Sequence, residues 1–296
     1  MDFTQALPAA VPPSWSQRRG QLLVLCRQEL RQRVRGLWNL PPLLLAFGPA
    51  AMFLLVILIA HLVPGDVPPE LRTGGAVGDL ADWQKAFAET FHSLMLRVCV
   101  FFGCAAVFLN SFRSPIAGRY LHYSYLSPVP RESVALAKYL SGLVFAGGLF
   151  ALGSLAMWTA AHLDAPLAET LPARLTARGL RLGLTYAAIA LLACLGYGSV
   201  FMALGLRLRN PIFPTLLLMG WESINLFLPA GLQKLSIIHH LQSLGPIPVD
   251  TPLISVVAAP TPVPQALVGL LAVTGLLVAL SLRWARGLEL DYGGEG

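Results

Sequence analysis

The stretch RYLHYSYLSPVPRESVALAKYLSGL, Arg119–Leu143, joins two long apolar segments, yet it carries Arg119, His122, four tyrosines, two prolines, Arg131, Glu132 and Lys138. A polar knot between two greasy segments suits a membrane chain that surfaces briefly. The flanking sequence agrees. Of 296 residues, 55% are hydrophobic and 12% are charged, against about 25% charged in an ordinary soluble domain. The fold class is an all-α membrane protein, which excludes a soluble enzyme built around a large core.

Crossing a bilayer takes about 20 apolar residues. Six stretches qualify, near 41–63, 91–112, 134–162, 180–206, 211–229 and 263–282, and the fifth is the shortest. They sit in a transmembrane domain over 39–286, followed by a tail over 287–296. The first span begins near Pro41, after six arginines, so it reads as a retained anchor rather than a cleaved leader.

The net charge of +6 is read as cytoplasmic loop charge, not as a nucleic-acid footprint. Placing the N-terminus inside puts fourteen of the twenty-one Lys and Arg residues on that side, among them Arg18, Arg27, Arg33, Arg119, Arg131, Lys138, Arg207 and Arg286. Arg174, Arg178 and Arg181 vote the other way and are outnumbered. Both termini are expected in the cytoplasm of a multi-pass protein of the inner or plasma membrane. Cys26, Cys99, Cys104 and Cys194 then lie outside the external loops, so no disulfide framework is implied.

Residues 1–16 are rich in Pro and Ala and read as poorly ordered. Over 17–38, Leu23, Cys26, Leu30, Val34 and Leu37 recur at helical spacing, while Arg27, Arg31 and Arg35 line another face. A basic amphipathic helix directly before a span is read as interfacial. The loop 64–90 contains a short helical pattern, DLADWQKAFAETF. The loop 230–262 is too apolar for a solvated one, and its pieces are too short to span. Short helices dipping back into the outer leaflet fit it.

The knot itself has a basic-aromatic short helix, AGRYLHYSYL, broken by SPVPRES, with a new helix starting after Pro130. Arginine and aromatics are what protein interfaces favour. The order basic-aromatic helix, then LSPVPRESVALAKYLSGL, resembles the coupling-helix segment of type-2 ABC exporter permeases. LSIIHHLQSL, before the last span, also looks like that family's segment there. The resemblance extends over the whole chain: interfacial helix, six spans and a re-entrant stretch before the last one.

It implies a permease half-transporter that pairs with a second permease subunit, a homodimer, embedded in membrane lipid. Each copy would rest on a separate ATP-binding cassette ATPase. ATP and Mg would belong to that partner, and this chain would be a transport subunit rather than an enzyme, with no cofactor of its own. The chain has no GxxxxGK[ST] phosphate loop. The ATPase contacts expected from the resemblance are Arg119, Tyr120, His122, Tyr123, Tyr125 and Arg131. The alternative reading is that these side chains only snorkel at the inner interface.

Ionisable residues within spans are costly and ask for a reason. Arg97 and Glu222 are the two clear cases, and Asn110 and Asn225 are milder. Counted from the span ends, Arg97 and Glu222 reach similar depth, about two turns in. In the family this chain resembles, the second and fifth spans adjoin. Arg97 and Glu222 are therefore expected to pair near the outer gate, within one subunit or across a dimer. The alternative has Arg97 snorkelling outward and Glu222 protonated. Glycines such as Gly142, Gly147, Gly148, Gly196, Gly198 and Gly205 are expected to permit close helix packing.

Three other functions compete. A rhomboid-type protease needs a Ser–His pair on facing helices, and the last span holds no His. An ion-coupled secondary transporter is built from inverted repeats with broken midplane helices, and the sequence carries no such halves. A non-transporting scaffold of an envelope complex is the third.

Overall fold

The computed structural model describes residues 15–35, 40–62, 80–117, 129–163, 177–208, 210–224, 230–234, 236–247 and 261–287. These are 91% helical, with no strand among them. In chain order the helices are α1 (Trp15–Arg35), α2 (Leu40–Leu62), α3 (Leu80–Thr90), a π-helical segment (Phe91–Val100), α4 (Phe101–Ala117), α5 (Arg131–Ala161), α6 (Ala177–Arg207), α7 (Ile212–Ile224), α8 (Ala230–Gln233), α9 (Ile237–Gln242) and α10 (Val263–Arg286).

Among the described residues, five helical stretches are long and apolar enough to cross a membrane: Leu40–Ile59, Trp83–Ser111, Arg131–Ala161, Gly179–Arg207 and Val263–Arg286. The expected fifth span appears as a shorter apolar helix, α7, and residues 225–229 of that stretch lie outside the described ones. The short helical pattern read near residue 80 is α3. It is not a separate element, because it runs without a break into the π-helical segment and α4. At about 1.5 Å per residue, α5 and α6, each 31 residues long, reach about 46 Å, beyond a hydrocarbon core of about 30 Å.

The centre of the bundle is α5 against α6, with α2 and α4 packed on them. Phe101, Phe108, Phe150, Tyr197, Phe201 and Met202 are fully buried there. At the end where α5 finishes and α6 begins, Phe87, Phe91, Trp158 and Tyr186 form an aromatic cluster. Its edge-to-face centroid distances run from 4.8 Å for Phe87–Tyr186 and Phe91–Tyr186 to 5.1 Å for Phe87–Trp158. The opposite end is basic, and there Arg286 pairs with Glu132, joining the end of α10 to the start of α5.

Helix α1 packs on α5 through a mixed face, with Leu22, Leu25, Cys26, Glu29, Leu30 and Arg33 partly buried. The Lys138 ammonium donates to Glu29 Oε1 at 2.6 Å, with the two side chains 9% and 23% exposed. Arg33 donates from Nη2 to the Lys138 carbonyl at 3.1 Å and from Nη1 to the Val107 carbonyl at 3.4 Å. Leu23, Val24 and Val34 of α1 are turned away from the protein and exposed. All four cysteines are free thiols.

The closest backbone approach is α2 on α5. A Cβ at Gly153 would lie 2.2 Å from the Ala46 carbonyl oxygen, whereas one at Gly148 would meet nothing within 4 Å. The glycines expected to allow packing thus divide: Gly142 and Gly198 face the Phe108 ring, and Gly148 faces open space.

Two predictions follow from these contacts. Gly153→Ala should lower the melting temperature of the detergent-purified protein and cost about 1–3 kcal/mol, the usual range for overpacking. Gly148→Ala should be neutral or slightly stabilising by helix propensity. Glu29→Ala should destabilise more than Lys138→Met, because it strands a buried ammonium while the methionine leaves only a carboxylate that water can reach. Equal melting shifts for those two variants would show that the pair does not anchor α1.

Candidate functional site

Glu222 is the best-defined polar feature of the apolar region. It lies near the end of α7, 5% exposed. Its carboxylate accepts three hydrogen bonds from the start of α9: from Ser236 Oγ at 2.6 Å, the Ile237 N–H at 3.3 Å and the Ile238 N–H at 3.1 Å. The first N–H groups of a helix have no intrahelical acceptor. Ser236 stands at the N-cap, but its side chain does not cap α9. It donates its hydroxyl proton to Glu222, and Glu222 takes the free N–H groups itself. The three donors converge on one carboxyl group, which accepts through both of its oxygens.

The rest of the segment 236–247 is tied down on every side. His240 Nε2 lies 2.9 Å from the Lys234 carbonyl, and His239 Nε2 lies 2.9 Å from Thr261 Oγ1. Ile237, Ile238 and Leu241 are buried, and α9 packs against α6, α10 and the π-helical segment. His92, on that π-helical segment, is buried beside Phe91 and Tyr186. A Cβ at Gly245 would lie 2.6 Å from His92 Nε2, so the chain passes the imidazole at a distance only glycine allows.

Arg97 lies on the π-helical segment, partly exposed. Its charge acts on His92, on Tyr197 of α6 and on Glu222 of α7. No ion pair joins Arg97 to Glu222 among the described residues. The pairing expected within one subunit is therefore replaced by Glu222 holding α9. A run of ten π-helical residues is uncommon, since such turns occur mostly singly and frequently at functional sites.

The other expected site residues divide cleanly. Arg131 is exposed at the first position of α5, and Asn110 is exposed on α4. Arg119, Tyr120, His122, Tyr123, Tyr125 and Asn225 lie outside the described residues. No cluster of three or more His, Cys, Asp or Glu side chains able to hold a metal is found among the described residues.

Sequence reading missed the Ser236–Ile238 partners of Glu222 and the Glu29–Lys138 anchor. A serine before an apolar run is an N-cap signal, but its acceptor stands fourteen residues upstream. Glu29 is the sole acidic residue of α1, and that was a usable signal. No family model matches the chain, and neither the curated proteins nor the solved structures contain a match.

Glu222→Ala should release α9. The three donors lose a buried acceptor, at about 1–3 kcal/mol each. Hydrogen–deuterium exchange at the Ile237 and Ile238 amides should accelerate by at least about tenfold, since about 1.4 kcal/mol is a factor of ten. Glu222→Gln, which keeps one acceptor oxygen, should fall between. Unchanged protection in Glu222→Ala would show that α9 is held by apolar packing alone.

Proposed function

We propose that this chain is the membrane-spanning permease subunit of an ATP-driven ABC exporter. In this reading two copies form the pathway, and each is driven by a separate ATPase subunit bound to the 113–133 segment. The observation that carries it is the Glu222 clamp. A short non-spanning helix directly before the last membrane helix, fixed through its backbone donors to the preceding apolar helix, is what a re-entrant segment needs. In the family that the sequence resembles, such a segment stands at this place.

Three features fit the same reading. Helix α1 turns Leu23 and Val34 outward, as a helix lying in the membrane interface does. Helix α7 leaves Ile212, Phe213, Leu216 and Leu217 exposed, an apolar face suited to lipid or to the second copy. The basic residues Arg131, Arg207, Arg283 and Arg286 sit at the end where α1 docks, so that end faces the cytoplasm by the positive-inside rule. Both termini are then cytoplasmic, and α7 with the stretch after it makes the sixth membrane segment.

In this reading Arg119–Arg131 is the ATPase contact. A basic-aromatic knot that lies in sequence between the second and third membrane helices would give an ATPase a handle on both. Purification from its own membranes should bring down a protein with a nucleotide-binding phosphate loop. Arg119→Glu with Tyr123→Ala should reduce that recovery by at least about tenfold, as interface truncations worth about 2 kcal/mol do, without changing the melting temperature. Unchanged recovery in the double variant would remove the coupling role from this segment. Transport by the purified chain without any ATPase would favour an ion-coupled carrier instead.

A further inference from the structure

Among the described residues, Arg97 is a cation without a counter-anion in an apolar helix. Among the described residues it makes no hydrogen bond and no ion pair. The carboxylate within its electrostatic reach, Glu222, is occupied by Ser236, Ile237 and Ile238. An intramembrane arginine in this position marks a ligand or ion path by default.

The side of the helix that carries Arg97 is partly open. Ser93 and Ala106 are exposed, and Leu94, Val98 and Phe102 are partly so, while Met95, Leu96, Cys99 and Val100 face the core. The open side thus presents a guanidinium next to an apolar strip, the Ser93 hydroxyl being spent on the Glu89 carbonyl at 2.6 Å. A guanidinium matches a phosphate through paired N–H donors, and the strip matches a hydrocarbon chain.

We propose that this face binds an anionic amphiphile, a lipid-anchored phosphate. Its charge pairs with Arg97 and its chain lies along Val98, Phe102 and Ala106. The occupant is argued from charge complementarity. Glu222 is buried and already bound, so in a second copy it offers no free anion to Arg97. The proposal rests on the exporter reading only in making this ligand the cargo. Binding itself does not depend on it.

The test is native mass spectrometry of the full chain in mild detergent, with added phosphatidylglycerol or phosphatidylcholine of the same acyl chains. Phosphatidylglycerol should be retained about tenfold better, the worth of one or two hydrogen bonds to a charged group. Arg97→Gln should abolish that preference and Arg97→Lys should retain part of it, with helicity by circular dichroism unchanged. If the glutamine variant does not fold, the lysine variant decides, and retention equal to wild type overturns the proposal.

Equal retention of the two lipids by the wild type, or an undiminished preference in Arg97→Gln, also overturns it. So does displacement of phosphatidylglycerol by millimolar inorganic phosphate, which would mark a site for free anions. Loss of dimer without loss of lipid would give this face to a second copy instead. No ATPase enters these measurements, so the outcome is independent of the coupling test on Arg119 and Tyr123.

Discussion

The carboxylate of Glu222 holds together the part of this protein that regular helix formation cannot. A long helix satisfies most of its own backbone, but a short buried helix leaves its first N–H groups in need of an acceptor. Helix α9 has six residues, too few to be stable alone. It persists because Glu222 accepts from Ser236, Ile237 and Ile238 and because Ile238 and Leu241 are fully buried. The clamp also fixes where α7 stops relative to α9, and hence where the chain turns before α10.

The basic end is organised by the converse logic. There the protein supplies donors to carbonyls that already lie in helices. Arg33 reaches Val107 and Lys138 at once, so one side chain of α1 touches both α4 and α5. The ion pair of Glu29 with Lys138 adds a charge match, but its half-wet carboxylate makes it weaker evidence for stability than a fully buried pair. What it contributes is register. Glu29 has one ammonium to meet, and meeting it turns Leu23 and Val34 outward.

The long helices were legible because apolar length is a local property. The runs around Leu40–Leu62, Arg131–Ala161 and Val263–Arg286 declare themselves residue by residue. The π-helical segment Phe91–Val100 was not legible, since its hydrogen-bond register differs from an α-helix by one residue and leaves composition unchanged. Nor was the union of α3 with the second span, because the polar residues Glu89 and Thr90 read as a loop edge. Within the candidate site, Arg97 and Glu222 stood out as charges in apolar runs. Their partners did not, because the acceptor and the donors of the clamp stand fourteen to sixteen residues apart, too far for any local pattern to join them.

The clamp also explains why two opposite charges at similar depth remain apart. For Arg97 to capture Glu222, the carboxylate would have to leave three donors, each costing about 1–3 kcal/mol when buried without a partner. A partly buried ion pair returns little after desolvation, so the exchange is unfavourable. Glu222 therefore answers to the backbone of α9, although Arg97 stands within reach of its field. Arg97 keeps an unspent charge on the open side of the second span, in the widened turns of the π-helix. A structural carboxylate and an available guanidinium, set side by side, divide one apparent ion pair into a fixed latch and a free cation. Among the described residues nothing answers that cation.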